Sequence, residues 1–306
     1  MHILVVNDDG PPSQRLSPYI RPFVNALQDA GHLVSVAIPA ASRSWIGKAH
    51  LIEASLKATY VHPDAFRADG TWDEHFDPAQ HNQERPESDW VVIRNGTPAS
   101  CVQLGLFNLF NDRPHVDLVI SGPNHGRNAS TVYNLSSGTV GGALEAANCS
   151  KRAIAVSFGS KDPQPQDTIC AASRLAVRVV NHLSNHWDPQ VELYNINVPM
   201  RTDVETRPVE WTRALPYYWN RGCMYAEVEG DKVNGHADNA VNGNSSHPKE
   251  RDFVWSADMS YMKKALQASP SGTDAYSVLN GNTSVTALKA NFWHVPDLEG
   301  PIDLDE

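Results

Sequence analysis

Strands alternating with helices over the first 200 residues predict an α/β fold. It is a three-layer, Rossmann-like, mostly parallel sheet with helices on both faces, followed by a β-rich C-terminal extension. Three observations carry this. Short β-branched apolar runs recur: "HILVV" (2–6), "LVSVAI" (33–38), "WVVIRNG" (90–96), "VDLVISG" (116–122), "RAIAVSF" (152–158) and "VELYNINV" (191–198). Near-continuous apolar runs of that length mark strands covered on both faces. Amphipathic stretches with helix-start signals separate them.

In chain order, Ser17 and Pro18 read as the N-cap and first position of a helix. Its stripe is Ile20, Phe23, Val24 and Leu27, and Gly31 ends it. The first strand, this helix and the second strand make a βαβ unit, expected to be right-handed. Thr97 and Pro98 repeat the cap-and-proline start for a helix carrying Cys101, Leu104, Phe107 and Leu109. "SSGTVGGALEAAN" (136–148) is a helix with a serine and glycine start. Asp167 reads as the cap of a helix bearing Ala172, Ala176, Val179 and Leu183.

Two stretches break the alternation. Residues 61–89 hold eight acids against two arginines with no apolar period, which predicts a solvated insertion. Residues 227–252 are polar and rich in glycine and asparagine, which predicts a mobile loop. The segments around that loop, "ALPYYWNRGCMYAEV" (214–228) and "NTSVTALKANFWHV" (282–295), read as strands. The expected organisation is one domain over 1–306, with a core of about 1–200 and an extension over about 201–306.

Composition narrows the function classes. A net charge of −10 over 306 residues argues against a broad nucleic-acid or anionic-membrane surface. "HILVV" is too short, with the wrong flanks, for a secretory signal, and no segment approaches a membrane span, so a cytoplasmic location is expected. Cys101, Cys149, Cys170 and Cys223 are widely spaced without C-x-x-C. They suggest free thiols rather than a disulfide framework or a thiolate zinc site.

In open parallel sheets, ligands sit outside the carboxyl ends of the strands. The first strand here ends in Asn7, Asp8 and Asp9, the second in Pro39 and "AASRSWIGK", and the run at 116–120 in "SGPNHGRN". Adjacent carboxylates repel unless a cation or hydrogen-bond donors offset their charge. Oxygen ligands from Asp and Asn, with a serine hydroxyl, suit Mg²⁺ or Mn²⁺ better than zinc. The dipeptide alone also fits an acid-rich, water-facing turn.

Ser136, Ser137, Gly138 and Thr139 open a helix whose amides and positive dipole end suit an anion, though Gly141 and Gly142 equally fit an ordinary capped, tightly packed helix. A cation held by acids beside an anion site describes a phosphate ester. Arg127, in the same loop as Asn124 and His125, suits a phosphate oxygen or a solvated surface. No G-x-G-x-x-G follows the first strand, and there is no P-loop or G-x-S-x-G elbow. A haloacid-dehalogenase-type site would need D-x-D, whereas these acids are adjacent.

In this order and spacing, "ILVVNDDG", "RS" after the second strand, "NGTPASCV", "DLVISGPNHGRN", "SSGTVGGALEA" and "TSVTALKANF" resemble the survival protein SurE family. "SWIGKAH" and "LKANFWH" look most like its fungal branch. The resemblance implies a metal-dependent phosphomonoesterase acting on nucleoside 5′- and 3′-monophosphates and, more loosely, on other phosphate monoesters. It carries metal ligation to Asp8, Asp9, Ser44 and Asn124, catalysis to Asp8, Asp9 and Asn124, and anion binding to Asn128, Ser137, Gly138 and Thr139. Asp8 is the expected base or nucleophile. The resemblance also implies homodimers or homotetramers that exchange C-terminal elements. Where most bacterial members have glycine, this chain has Trp45, followed three residues later by Lys48, which could add charge for substrate; Arg127 stands where many members have proline. The alternative is a catalytically idle nucleotide- or phosphate-binding regulatory module.

Overall fold

The computed structural model describes residues 1–80, 89–218, 223–228 and 251–291. In chain order the first half contains β1 (His2–Val6), α1 (Ile20–Asp29), β2 (Leu33–Pro39), β3 (Lys57–Val61), β4 (Trp90–Arg94), α2 (Pro98–Phe107), β5 (Leu118–His125), α3 (Thr131–Ser136) and α4 (Gly138–Asn148). The second half contains β6 (Arg152–Phe158), α5 (Gln166–Asn185), β7 (Leu193–Val198), β8 (Val209–Thr212), β9 (Tyr225–Val228), β10 (Asp252–Trp255), α6 (Ser260–Gln267), α7 (Asp274–Leu279) and β11 (Thr283–Leu288).

A nine-stranded sheet runs β3-β4-β2-β1-β5-β6-β7-β11-β8. The six strands from β4 to β7 are mutually parallel, while β3 and β11 join antiparallel. The predicted mostly parallel α/β architecture is therefore the one observed. After β1 the chain steps outward through β2 to β4, then crosses back to place β5 on the other side of β1. The topological switch point lies between β1 and β5, and there a crevice opens at the carboxyl ends.

Continuous apolar strands follow from the two covered faces. Ile3 and Val5 pack with Phe23, Val24, Leu27, Ala172 and Leu175 of α1 and α5. Leu4 and Val6 pack on the opposite face with Cys101, Val102, Val140 and Ala143 of α2 and α4. Each fully buried Val, Leu, Ile or Phe among them contributes about 1.5–3 kcal/mol relative to exposure. A third cluster joins Ala129 and Val132 to Leu215, Met262, Leu266 and Ala275, docking the C-terminal helices against the segment after β5.

Several local expectations change. α1 starts at Ile20 with Tyr19 at the N-cap and no side-chain cap. Ser17 is instead part of a bridge with Ser13, and its hydroxyl accepts from Asn7 Nδ2 at 3.2 Å. Pro165, not Asp167, precedes α5, and Asp167 sits in the first turn, where the helix dipole favours an acid. Thr97 and Ser100 form a reciprocal capping box on α2 as the sequence suggested, but Phe107 is exposed and Leu109 lies beyond the helix.

β3 and β8 arise where no strand was expected. The polar run 61–89, which begins at the last residue of β3, is not wholly solvated: Val61, His62 and Ala65 are buried, and Phe66, Trp72 and Phe76 pack against the core. Residues 81–88 of that insertion lie outside the described residues. Residues 214–218 are not a strand, 219–222 lie outside the described residues, and β9 forms at the end of "ALPYYWNRGCMYAEV". β11 forms within "NTSVTALKANFWHV", whose residues 292–295 lie outside the described residues. Of the expected mobile loop, 229–250 also lie outside the described residues, while its flanks β9 and β10 form an antiparallel pair. Among the described residues, no helix is long and apolar enough to cross a membrane.

Candidate active site

The turn after β1 is closed by its own sequence. Asn7 donates from Nδ2 to Gly10 O at 2.8 Å and accepts from Gly10 N at 3.2 Å. Gly10 has φ +88°, and a Cβ there would meet the Ala41 carbonyl carbon at 3.2 Å, so glycine brings this turn against the loop after β2. Arg43 N then donates to Asp8 O at 2.6 Å, tying the Ser44 loop to the acids.

Asp8 and Asp9 are 3% and 6% exposed. Thr139 Oγ1 donates to Asp8 Oδ1 at 2.5 Å, and the Thr139 amide supports the same carboxylate. The start of α4 therefore faces an anion that belongs to the protein itself. A Cβ on Gly138 would lie 2.7 Å from Asp8 Cβ, so this close approach requires glycine. Burial nevertheless outweighs these donors and raises the Asp8 pKa. Asp9 is pushed well above the usual carboxylate range by burial and then by the charge of Asp8, against one donor, His125 N at 2.7 Å.

Asn124 ends β5. Its Nδ2 donates to Gly126 O at 2.6 Å, which leaves its carbonyl oxygen as the side chain's acceptor. The following loop is fixed by an amide network. Asn128 N donates to Asn197 Oδ1 at 2.7 Å, Asn128 Nδ2 to Ser157 Oγ at 2.9 Å, and Asn195 Nδ2 to Asn128 O at 2.9 Å. Ser130, at φ +99°, donates its N–H to buried Asp274 at 2.8 Å.

These loops enclose a cleft of about 830 Å³. It brings together Asp8, Asp9, Ser44, Asn124, Arg127, Asn128 and Ser137. Three expected binding residues do not line it. Thr139 is fully buried with its hydroxyl on Asp8, and Gly138 abuts the same carboxylate. Lys48 Nζ instead pairs with Glu145 Oε2 at 2.6 Å. Burial works to raise the Glu145 pKa, but Gln103 and Lys48 outweigh it and hold the group below its ordinary value.

The cleft also contains Arg15, Ser160, Lys161, Asp162 and Lys263, which sequence reading passed over. Lys161 lies close enough to favour the ionised forms of both aspartates and to disfavour protonated His125, whose burial already lowers its pKa. Tyr19 OH donates to Ser160 O at 3.0 Å, bracing this loop, and burial and then Asp9 push its phenol up to about 12. The polar end of "RAIAVSFGSKD" at the switch-point edge was the available signal for Lys161.

The donor chemistry fits a hard cation. Two buried carboxylates share the cleft with an amide oxygen from Asn124 and a hydroxyl from Ser44, and charge repulsion between the acids is incompletely offset by their donors. Among the described residues, no three or more His, Cys, Asp or Glu are grouped so that they could hold a metal ion, so such a set would draw on these neutral oxygens.

Comparisons with known proteins converge on one family. The model of the family described as "Survival protein SurE" matches residues 3–221. The chain is 34% identical over 339 aligned residues to the probable tubulin–tyrosine ligase PBY1 of Saccharomyces cerevisiae, covering 100% of this chain but 43% of that protein's length. It is 32% identical to the 5′-nucleotidase SurE of Nitratidesulfovibrio vulgaris, over 72% of this chain and 76% of the relative. For the 5′-nucleotidase SurE of Geobacter metallireducens the identity is 30%, over 94% and 91%. The SurE crystal structure from Aquifex aeolicus superposes with a TM-score of 0.61 at 24% identity, covering 96% of this chain and 95% of that one, and supports the fold. Motif, fold and comparison together establish that the chain belongs to the survival protein SurE family of hydrolases.

Proposed function

We propose that this protein is a divalent-metal-dependent phosphomonoesterase that releases inorganic phosphate from nucleoside 5′- and 3′-monophosphates and, less selectively, from other phosphate monoesters. The observation that carries the proposal is the buried Asp8–Asp9 pair sharing one cleft with Ser44, Asn124 and the Ser137 helix start. Relatives named 5′-nucleotidase support the same reaction class.

Asp8, Asp9, Ser44 and Asn124 would hold Mg²⁺ or Mn²⁺, and such an ion supplies Lewis-acid polarisation of a phosphate oxygen. Ser137, Arg127 and Lys161 are the donors that orient the phosphate. Asn128, whose amide is engaged by Ser157, holds the loop that presents Arg127. Asp8 takes the direct role, as base toward the attacking water or as nucleophile toward phosphorus, since it abuts the α4 start beside Ser137. Assembly into a homodimer or homotetramer through the C-terminal extension, and a cytoplasmic location, belong to the same reading. The four cysteines, all free, fit that location.

Phosphate release from a panel of nucleoside monophosphates, sugar phosphates and p-nitrophenyl phosphate, with Mg²⁺, Mn²⁺ or EDTA, tests the proposal. Turnover should require metal and vanish in Asp8→Asn. EDTA-indifferent turnover would sink the metal assignment, and native-like turnover by Asp8→Asn would sink the role given to Asp8. Nucleotide binding without turnover under any metal would favour the idle regulatory module instead.

A further inference from the structure

The turn that carries Ser44 holds its next residue in a conformation that tryptophan resists. Ile46 N donates to Arg43 O at 3.2 Å, which makes Ser44 and Trp45 the central residues of the turn. Trp45 has φ +65°. The second central position of a turn with positive φ there is the one glycine normally occupies. A bulky side chain in that region is an outlier that persists when its surroundings over-determine it, and such outliers cluster at ligand clamps.

The surroundings here are aromatic. The Trp45 ring centroid lies 5.9 Å from that of Tyr133 and 5.2 Å from that of Trp255, and Trp255 meets Tyr225 edge-on at 5.5 Å. Trp45 and Tyr133 line the same cleft as Asp8, Asp9 and Asn124, together with Met259. A cleft otherwise rich in charged and hydroxyl groups thus has an aromatic and thioether surface. A phosphate group gains nothing from such a surface; the alcohol part of an ester does.

Building on the phosphomonoesterase reading above, we infer that Trp45, backed by Tyr133, is a specificity-determining residue that stacks the planar heterocycle of a nucleoside. Nucleoside monophosphates are accordingly favoured over aliphatic phosphate monoesters. A base presents a π face to the indole whatever its hydrogen-bonding edge, so the preference extends across purine and pyrimidine nucleotides.

The test compares the native protein with Trp45→Gly, which suits the backbone, and Trp45→Phe, which keeps a ring. The ratio of kcat/KM for adenosine 5′-monophosphate to that for glycerol 3-phosphate should fall roughly tenfold in Trp45→Gly and recover substantially in Trp45→Phe. Tyr133→Leu, which leaves the turn intact, should lower the same ratio by a smaller factor. Adenosine binding, measured by calorimetry without turnover, should weaken in the same order. An unchanged ratio with unchanged adenosine binding would overturn the inference, as would a lowered Tm with no change in the ratio, which would make Trp45 a packing anchor for Trp255. If no ester is turned over by the native protein but adenosine binding still depends on Trp45, the phosphatase reading fails and the stacking role stands.

Discussion

At the scale of single residues, the fold holds Asp8 and Asp9 at an energetic disadvantage. Both folded-state pKa values lie above the ordinary 3.8, so the folded chain binds these protons more tightly than the unfolded one. For a carboxyl raised in this way, stability is greatest at low pH and falls as pH rises from the unfolded value through the folded one. Asp9→Asn should therefore raise the Tm of metal-free protein at pH 7 by about 2–4 °C while abolishing activity. That advantage should shrink toward zero as the pH is lowered to 3.8, and calorimetric melts of both proteins across pH measure it. Thr139 acts one step removed, through its hydroxyl on Asp8. Thr139→Val should cost about 10–100-fold in activity or metal affinity, with Thr139→Ser restoring most of it. Steady-state kinetics with metal titration reads both variants.

Secondary-structure elements meet at distances that particular glycines permit. α4 is placed by three of them: a Cβ at Gly138 would meet Asp8, one at Gly141 would come within 2.2 Å of Gly47 O, and one at Gly142 within 2.6 Å of Ser121 Oγ. The helix thus packs on the strand ends and on the Ser44 loop at backbone contact distance. Gly138→Ala should cut kcat by at least about 10-fold with a far-UV spectrum unchanged from native, because the clash falls on the Asp8 side chain rather than on the core. Measured kcat alongside circular dichroism separates this from misfolding. The same element divides the residues of its first turn between the cleft and Asp8. A helix start attracts an anion, and here Thr139 and Gly138 face the Asp8 carboxylate while Ser137 alone of the three lines the cleft.

For the molecule as a whole, the strand order decides the location of chemistry. Because β1 and β5 are neighbours on either side of the switch point, Asp9 and Asn124, more than a hundred residues apart, share a cleft. A cation that binds there only in the folded state stabilises it by mass action. At a hundred times its Kd, Mn²⁺ or Mg²⁺ should add about 2.7 kcal/mol, visible as a rise in Tm that EDTA reverses. Asp8→Asn should lose that metal-dependent rise, and an equal rise in the variant would contradict the ligand set.

Much of this was legible in the chain. Apolar run lengths and helix starts at Thr97 and Ser137 depend on local chemistry, so they specify the alternating α/β order and the "NDDG", "NHGRN" and "SSGTV" strand ends without tertiary information. Short polar-looking strands such as β3 and β8 were not legible, because they form by pairing with a neighbour already in the sheet rather than by their own periodicity. Nor was the division of labour inside the site. Thr139 and Lys48 have side chains suited to a phosphate, but the fold sets Thr139 against Asp8 and Lys48 against Glu145, while Lys161 arrives from a different strand end. The sequence by itself determined which groups gather at one edge of the sheet. Which of them face the cleft and which face each other was decided only by tertiary packing, since a partner's identity depends on distances across the switch point that no local pattern encodes.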